Sequence, residues 1–193
     1  MTDLEITTAT PANRDAVLAS LVAAFAADPV LRYLFPDEAA YPRHAAAFFG
    51  HLFDKRVDLG TVWTIGGGAA VAMWDSPTTP HPGNDLSAAL PAAEHARLRA
   101  YEDAVHAALP TGPFWYLGVL GTDPRHAGQR WGHALMAAGL HRADSDGLPA
   151  VLETSNPGNV GVYRRAGFEV VTETAAGTLP IWVLRRAPLP PGR

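Results

Sequence analysis

The spacing of apolar residues predicts a strand, several helices and a hairpin in the first part of the chain. Residues 4–8 alternate between apolar and polar side chains, and the segment from Val17 to Phe25 has helical spacing. Thr10 and Pro11 provide a cap and a first helical residue, and Asp28-Pro29 predicts the end of that helix. Together, the predicted elements cover residues 4–8, 11–27, 31–35, 42–56, 61–65, 69–73 and 92–109.

Three consecutive glycines, residues 66–68, lie between two strand-like runs. A glycine run could cradle a phosphate, but phosphate loops need a helix N-terminus after the glycines, and here a strand follows. We therefore expect a hairpin turn. The stretch 76–84, rich in Pro, Thr, Gly and His, predicts a loop.

The pattern changes after residue 113 to alternating strands and helices. The predicted elements cover residues 115–121, 131–143, 151–154, 160–165, 168–172 and 179–184. A hairpin region followed by strand–helix alternation predicts a domain of the α/β (α+β) class, with a mixed sheet covered by helices on both faces.

Composition fits one globular domain of 193 residues, with 48% hydrophobic and 18% charged side chains. The net charge is −4 without a basic stripe, so no nucleic-acid partner is expected. The absence of cysteine excludes disulfides and thiolate chemistry, and the eight histidines show no metal-ligand spacing, so no metal is expected. No signal peptide or membrane-length apolar run is evident, which predicts a cytoplasmic protein with no membrane partner.

Residues 115–135 combine a strand, a proline-marked turn, a loop with glycines and a helix. Gly128 and Gly132 would let backbone N–H groups converge before the helix N-terminus, which carries about half a positive charge. This arrangement predicts an anion site whose natural occupant is a pyrophosphate. Because strand–turn–helix segments with two glycines are common, an ordinary turn is the alternative.

A second polar cluster follows the next predicted strand. Asn156 and Asn159 precede a short helix that carries Tyr163 and ends at Gly167-Phe168. Taken alone, the asparagines are also typical turn formers, and the tyrosine is also typical of a half-buried aromatic.

Together, these two segments resemble the GNAT superfamily of acetyl-CoA-dependent N-acetyltransferases, over about residues 114–170. That family shows Pro-x-x-(Gln/Arg)-Gly-x-Gly-x-Gly between a strand and a helix. An asparagine follows, then a tyrosine seven positions on, the separation of Asn156 and Tyr163, and then a Gly-Phe pair. The resemblance implies one domain over residues 1–193, with 1–113 on the acceptor side and 114–187 binding acetyl-CoA. It also implies a mostly antiparallel sheet of about seven strands, with the fourth and fifth splayed apart.

A closer resemblance, to the puromycin N-acetyltransferase-like branch of this family, extends over most of the chain. It is carried by Phe25-Ala26 with Asp28-Pro29, by residues 60–63, by Leu152–Ser155 and by the segment around Trp182. Members of that branch need not share a substrate.

The family resemblance implies a role for each residue along the cofactor path. Pantetheine would pair with the strand backbone at 120–122, and the loop 127–133 would cradle the pyrophosphate. Asn156 and Asn159 would contact the pantetheine arm. Tyr163 would donate a proton to the departing CoA thiolate, since the pKa of a phenol, about 10, lies just above that of a thiol. The implied acetyl-CoA site is Leu120, Gly121, Thr122, Ala127, Gly128, Gln129, Arg130, Trp131, Gly132, His133, Asn156, Asn159 and Tyr163.

The loop departs from the family pattern at two positions. Ala127 stands where the family prefers Gln or Arg, and Arg130 stands where it prefers the middle glycine. A register beginning at Gln129 restores the pattern but needs two extra residues after Pro124. We prefer the ungapped register because residues 132–136 then match the usual helix start, and Arg130 would place a cation near phosphate.

The general base is less directly indicated. Many enzymes of this family have a glutamate on the fourth strand, where this chain has none. Glu153 lies on the neighbouring strand, and Asp28 lies at a helix end that usually walls the substrate site. The order of candidates is Glu153, then Asp28, then no side-chain base, and either carboxylate could instead be structural.

The resemblance therefore predicts acetylation of a primary amine on a small molecule, such as an antibiotic or an amino-acid-like compound. The stretch 76–110 would form a lid over a small pocket. Acetylation of a protein N-terminus or lysine is the second hypothesis, and a non-catalytic acyl-CoA sensor is the third. The oligomeric state is not readable from the sequence, and a homodimer is compatible with it.

Overall fold

Seven strands form one mixed sheet at the centre of the structure, a computed structural model that describes residues 5–79, 86 and 88–190. They are β1 (Ile6–Thr8), β2 (Val62–Ile65), β3 (Ala70–Asp75), β4 (Trp115–Thr122), β5 (Ala150–Thr154), β6 (Glu169–Ala176) and β7 (Leu179–Arg186). Their order is β1-β2-β3-β4-β5-β7-β6, and every neighbouring pair is antiparallel except β4–β5. The predicted mixed, mostly antiparallel sheet is confirmed.

Helices cover both faces of this sheet. They are α1 (Arg14–Ala24), α2 (Pro29–Leu34), α3 (Tyr41–Val57), α4 (Ala92–Ala108), α5 (Trp131–Ser145) and α6 (Pro157–Arg165). Apolar side chains of α1 to α4 share one core cluster with Val71, Met73 and Val119 of the sheet. Those of α5 and α6 share a second cluster with Ala72 and Trp74 on the opposite face. Because successive side chains of a strand point to opposite faces of the sheet, alternate strand residues contribute to the two core clusters.

Three predicted helix starts differ from the structure by two residues or more. Asp28-Pro29 begins α2 instead of ending α1, because the Asp28 side chain accepts hydrogen bonds from the first N–H groups of that helix. Pro11 starts a short 3-10 turn, and α1 begins only at Arg14. The helix predicted from Val160 begins at Pro157, capped by Asn156. The predicted glycine hairpin between β2 and β3 is present.

Strands β4 and β5 part halfway along their length. Their parallel pairing runs from Trp115 opposite Ala150 to Leu117 opposite Leu152 and stops there, although β4 continues to Thr122. Beyond that point β4 pairs only with β3, and a bulge at Gly118 shifts its register against Met73 and Trp74. The β5-facing backbone groups of β4 are therefore left without a strand partner.

A bidentate ion pair is buried between α3 and the last residue of β3. Arg56 Nε and Nη2 donate to the two carboxylate oxygens of Asp75 at 2.8 and 2.6 Å, and Nη1 donates to the Leu52 carbonyl. Both side chains are almost completely buried. The pair connects α3 to β3 and neutralises both charges, which a buried ion requires.

Part of the predicted loop at 76–84 and of the predicted lid at 76–110 lies outside the described residues, as do residues 1–4 and 191–193. Within the described ranges, no helix has the combined length and apolar character needed to cross a bilayer.

Candidate active site

Three adjoining cavities run through the region where β4 and β5 part. The outer cavity, of about 110 Å³, is lined by Phe48, Leu52, Lys55, Arg56, Asp75, Leu98, Tyr101, Glu102, Val105, His106, Leu109, Tyr116, Gly118 and Glu153. The central cavity, also of about 110 Å³, is lined by Phe25, Asp28, Val30, Leu31, Phe48, Phe49, Tyr101, Leu117, Gly118, Val119, Leu120, Glu153, Thr154, Ser155, Asn159 and Tyr163. The splay groove, of about 200 Å³, is lined by Leu120, Gly121, Thr122, Gly132, His133, Met136, Asn159, Val162 and Tyr163.

These cavities adjoin one another, since they share lining residues. Glu153 and Tyr101 belong to both the outer and the central cavity. Tyr163 and Asn159 belong to both the central cavity and the splay groove. Glu153 and Tyr163, a carboxylate and a phenol, both line the central cavity, which adjoins the other two.

Glu153 occupies the first β5 position beyond the last β4–β5 pair. One carboxylate oxygen accepts a hydrogen bond from the Tyr101 hydroxyl at 2.9 Å, and the other accepts a hydrogen bond from the Tyr116 hydroxyl. Burial raises the pKa of Glu153, and the two tyrosine hydrogen bonds partly oppose that rise because they favour the ionised form. Burial, together with the nearby Glu153 charge, raises the pKa of each tyrosine, so both remain hydrogen-bond donors.

Tyr163 lies on α6, at the boundary between the central cavity and the splay groove. Its ring packs edge-on against Phe168 at a centroid distance of 6.0 Å, which fixes the direction of the side chain. Burial, followed by the charges of Glu153 and Asp28, raises the pKa of Tyr163 to about 12. The phenol is therefore protonated at neutral pH and can donate a proton.

Asp28 lines the central cavity while capping α2. Its Oδ1 accepts hydrogen bonds from the N–H groups of Val30 and Leu31 at 2.9 and 3.3 Å. Burial raises the pKa of Asp28, and these two bonds oppose the rise. The side chain thus has a structural task in addition to its position in the cavity wall.

The predicted pyrophosphate loop leads from β4 into the N-terminus of α5. Gly128 and Arg130 both have positive φ angles, 82° and 60°, and Arg130 is the only described non-glycine residue with this conformation. His126 stacks on Trp131 at a centroid distance of 4.7 Å and braces the loop. The first-turn N–H groups of α5 point out of the helix end, as an anion site requires.

The two asparagines of the second polar cluster have different roles in the structure. Asn156 Oδ1 accepts a hydrogen bond from the Gly158 N–H and caps α6. Asn159 lines both the central cavity and the groove. Ser155, which also lines the central cavity, has a buried hydroxyl without a hydrogen-bond partner among the described residues. A buried donor of this kind is usually satisfied, so a ligand atom is a natural partner.

The structure brings together all three predicted catalytic residues, Tyr163, Glu153 and Asp28, around the central cavity. Of the predicted cofactor residues, those that line the splay groove are Leu120, Gly121, Thr122, Gly132, His133, Asn159 and Tyr163. The remaining ones are in the loop before α5, begin α5 or cap α6, outside the lining of the three cavities; they are Ala127, Gly128, Gln129, Arg130, Trp131 and Asn156.

Sequence reasoning missed Tyr101 and Tyr116 as partners of Glu153, and also Ser155. A signal for Tyr101 was present, because it lies on the otherwise apolar face of the predicted helix 92–109, and a buried tyrosine needs a partner for its hydroxyl. Nothing in the linear sequence connects it with Glu153, since their contact joins α4 to β5.

Comparison with known proteins shows the family to which this chain belongs. The profile of the acetyltransferase (GNAT) family matches residues 65–168, more than half of the chain, so the chain belongs to the GNAT family of acetyltransferases. The predicted superfamily and the expectation of an acetyltransferase enzyme are confirmed.

Solved structures of several acetyltransferases share this fold over almost the whole chain. One is the histone acetyltransferase HPA2 and related acetyltransferase from Corynebacterium glutamicum, with TM-score 0.67 and 21% identity over 98% of this chain and 99% of that one. Another is arylalkylamine N-acetyltransferase 2 from Aedes aegypti, with TM-score 0.65 and 11% identity over 96% and 99% of the chains. A third is the polyamine N-acetyltransferase of Drosophila melanogaster, with TM-score 0.67 and 14% identity over 96% and 100%. Structural similarity at sequence identities this low establishes a shared fold.

Proposed function

We propose that this chain transfers the acetyl group of acetyl-CoA to a primary amine of a small molecule. The observation that carries the proposal is the placement of Glu153 and Tyr163 around one central cavity, which shares lining residues with both the outer cavity and the splay groove. In this assignment the amine enters through the outer cavity and acetyl-CoA lies along the groove.

The splay groove fits acetyl-CoA. Its β4 wall, from Leu120 to Thr122, has backbone groups without a partner on β5, and pantetheine amides could pair with them. The N-terminus of α5 follows directly, with Gly132 in the groove wall and convergent N–H groups for the pyrophosphate. Arg130 adopts the backbone conformation that the family's glycine would take in the ungapped register, and its cation would lie near that phosphate.

Acetyl-CoA supplies an activated thioester, and residues of this chain accept and donate the protons that move during the transfer. Glu153, whose ionised form is favoured by the two tyrosine hydrogen bonds against the effect of burial, accepts a proton from the amine, directly or through a tyrosine hydroxyl. The new N–C bond forms as the C–S bond breaks. Tyr163 gives its proton to the departing thiolate, and a β4 backbone N–H or the Ser155 hydroxyl polarises the carbonyl oxygen.

A small acceptor is favoured over a protein acceptor. The outer and central cavities are each about 110 Å³, much smaller than a groove that would hold an extended peptide. Structural neighbours include enzymes named for arylalkylamines and polyamines. An antibiotic or an amino-acid-like amine of the kind that the puromycin-like resemblance suggests belongs in the same test.

The test is acetyl-CoA-dependent thiol release with a panel of small amines, a peptide with a free N-terminus and an intact protein, with each product identified by mass spectrometry. The proposal predicts turnover with small amines and little with the peptide or protein. Turnover confined to the peptide or the protein would instead support acetylation of a protein N-terminus or lysine. Stabilisation by acetyl-CoA without turnover on any acceptor would identify a sensor.

A cytoplasmic location and a homodimer stay predictions. Cell fractionation tests the first, and sedimentation velocity over a range of protein concentrations tests the second.

A further inference from the structure

The outer cavity has an apolar wall built mainly from one helix face. Leu98, Tyr101, Val105 and Leu109 recur at helical spacing on α4 and its end, and α3 adds Phe48 and Leu52 from the facing side. A cavity of about 110 Å³ with such walls is of the same order as the 150 Å³ apolar cavity known to take up benzene. The wall therefore suits a ring or a short alkyl chain.

The charged groups of this cavity leave its outer part without net charge. Arg56 and Asp75 neutralise each other through two hydrogen bonds. Lys55 and Glu102, the other charged residues of the described lining apart from Glu153, have opposite signs. Only Glu153, at the junction with the central cavity, adds a negative charge where the reacting amine must lie.

A second ammonium group on the acceptor would lose its hydration shell in that outer part, where each carboxylate is already matched by a cation of the lining, Asp75 by Arg56 and Glu102 by Lys55. A carboxylate would be penalised for the same reason. An uncharged apolar group would instead gain free energy by leaving water.

We propose that the acceptor is a monoamine with an uncharged apolar body, of the arylalkylamine or alkylamine class, and that diamines, polyamines and amino acids are poor acceptors. This inference rests on the proposed function and narrows its substrate class. Leu109, half-buried at the end of α4, helps to set the preference because it contributes apolar surface to the wall.

The test uses acceptors that differ in one group only: hexylamine, 1,6-diaminohexane and 6-aminohexanoate, with 2-phenylethylamine as an aromatic monoamine. We expect kcat/KM for hexylamine to exceed that for the diamine and the amino acid by about tenfold or more, and 2-phenylethylamine to be a good acceptor. Equal or better turnover of the diamine would overturn the inference and leave the proposed function standing. Turnover of none of these four amines, with turnover of other small amines in the panel, would overturn the inference alone, whereas no turnover of any small amine would contradict the proposed function as well.

A charge placed in the wall tests the same inference from the protein side. Leu109→Glu should reduce the preference for hexylamine over 1,6-diaminohexane by about tenfold or more, because the second ammonium then has an anion to meet. Leu109→Met keeps the wall apolar and should retain the preference. Leu59→Glu, at a position half-exposed and outside the cavity, should behave like the unaltered chain. An unchanged preference in a folded Leu109→Glu variant, with its acetyl-CoA stabilisation intact, would contradict the assignment.

Discussion

Glu153 owes its chemical character to two tyrosines from different elements. Tyr101 reaches it from α4 and Tyr116 from β4, and each donates to a different carboxylate oxygen. Burial alone would favour the protonated acid, whereas hydrogen bonds to the ionised form oppose that effect. Tyr101 and Tyr116 are therefore positioning residues for the proposed base.

Removal of one of these hydroxyl groups should shift the pH dependence of the reaction. Tyr116→Phe removes a bond that lowers the Glu153 pKa, so that pKa rises and the carboxylate is lost at a higher pH. The acid limb of the kcat/KM profile should move to higher pH, with activity on that limb falling by about tenfold, equivalent to the ~1.5 kcal/mol of a hydrogen bond to a charged group. The measurement is the pH–rate profile with a monoamine acceptor.

Tyr33→Phe is the matched control, because Tyr33 is absent from the described lining of the three cavities. Its profile should match that of the unaltered chain. A uniform loss of activity in Tyr116→Phe with an unmoved acid limb would mean that Tyr116 serves only the structure.

Asp28 allows its structural and chemical roles to be separated. Asn caps helices about as well as Asp, so Asp28→Asn keeps the α2 cap and removes the charge, whereas Asp28→Ala should cost about 1 kcal/mol of stability. If Glu153 is the base, Glu153→Gln should lower kcat/KM by about a hundredfold, and Asp28→Asn should retain activity within a few-fold. A larger loss in Asp28→Asn than in Glu153→Gln would make Asp28 the base.

Among the elements, α5 depends on a close approach to the sheet. Gly139 faces Trp74 of β3, and a Cβ on Gly139 would lie 2.2 Å from two indole carbons of this fully buried side chain. The absence of a side chain therefore sets the separation between α5 and β3, and with it the position of the helix whose N-terminus faces the groove.

Gly139→Ala should destabilise the fold by about 1–3 kcal/mol, the usual cost of overpacking a dense core. Gly161→Ala on α6 is the matched control, since its new methyl group would make only an ordinary contact with Arg165 and helical alanine is favoured by up to about 1 kcal/mol. Urea unfolding of both variants checks the difference. Equal stability of the two would show that α5 can move away from Trp74 freely.

Periodicity predicted most elements but not every boundary. The apolar spacing of α3 and α4 is strong enough to place both helices within about two residues of their observed ends. The Asp28-Pro29 pair was misread because Asp-Pro suits the end of one helix and the capped start of another equally well, and only the hydrogen bonds to Val30 and Leu31 decide between them. Strand β6 extends to Ala176 because pairing with β7 overrides its weak local pattern.

At the scale of the whole molecule, residues that line the splay groove were easier to predict than those that line the outer cavity. Residues 120–163 lie close together in sequence, so a linear motif could identify Tyr163 and Asn159 in advance. The outer cavity is assembled from α3, α4, β3, β4 and β5, and the meeting of Tyr101, Tyr116 and Glu153 depends on contacts between residues far apart in the chain. Such contacts follow from the packing of the fold, which no local pattern encodes.

The family profile covers only part of the residues that line the cavities. The profile match begins at residue 65 and ends at residue 168, which leaves α1 to α3 outside it. These helices contribute Asp28, Phe48 and Leu52 to the cavities where the acceptor would lie. Family membership therefore identifies the chain as an acetyltransferase. The proposed substrate class depends instead on the side chains that line its cavities.

The most direct test of the account is the comparison of Tyr163→Phe with the unaltered chain, measuring kcat with a monoamine acceptor and, separately, the Kd for acetyl-CoA. Loss of the proton donor should lower kcat by about tenfold or more, because general acid catalysis contributes to the transition state alone. The Kd for acetyl-CoA should stay within about twofold, since the ring and its packing against Phe168 remain. An unchanged kcat, or a loss confined to acetyl-CoA binding, would contradict the role assigned to Tyr163 at the centre of this site.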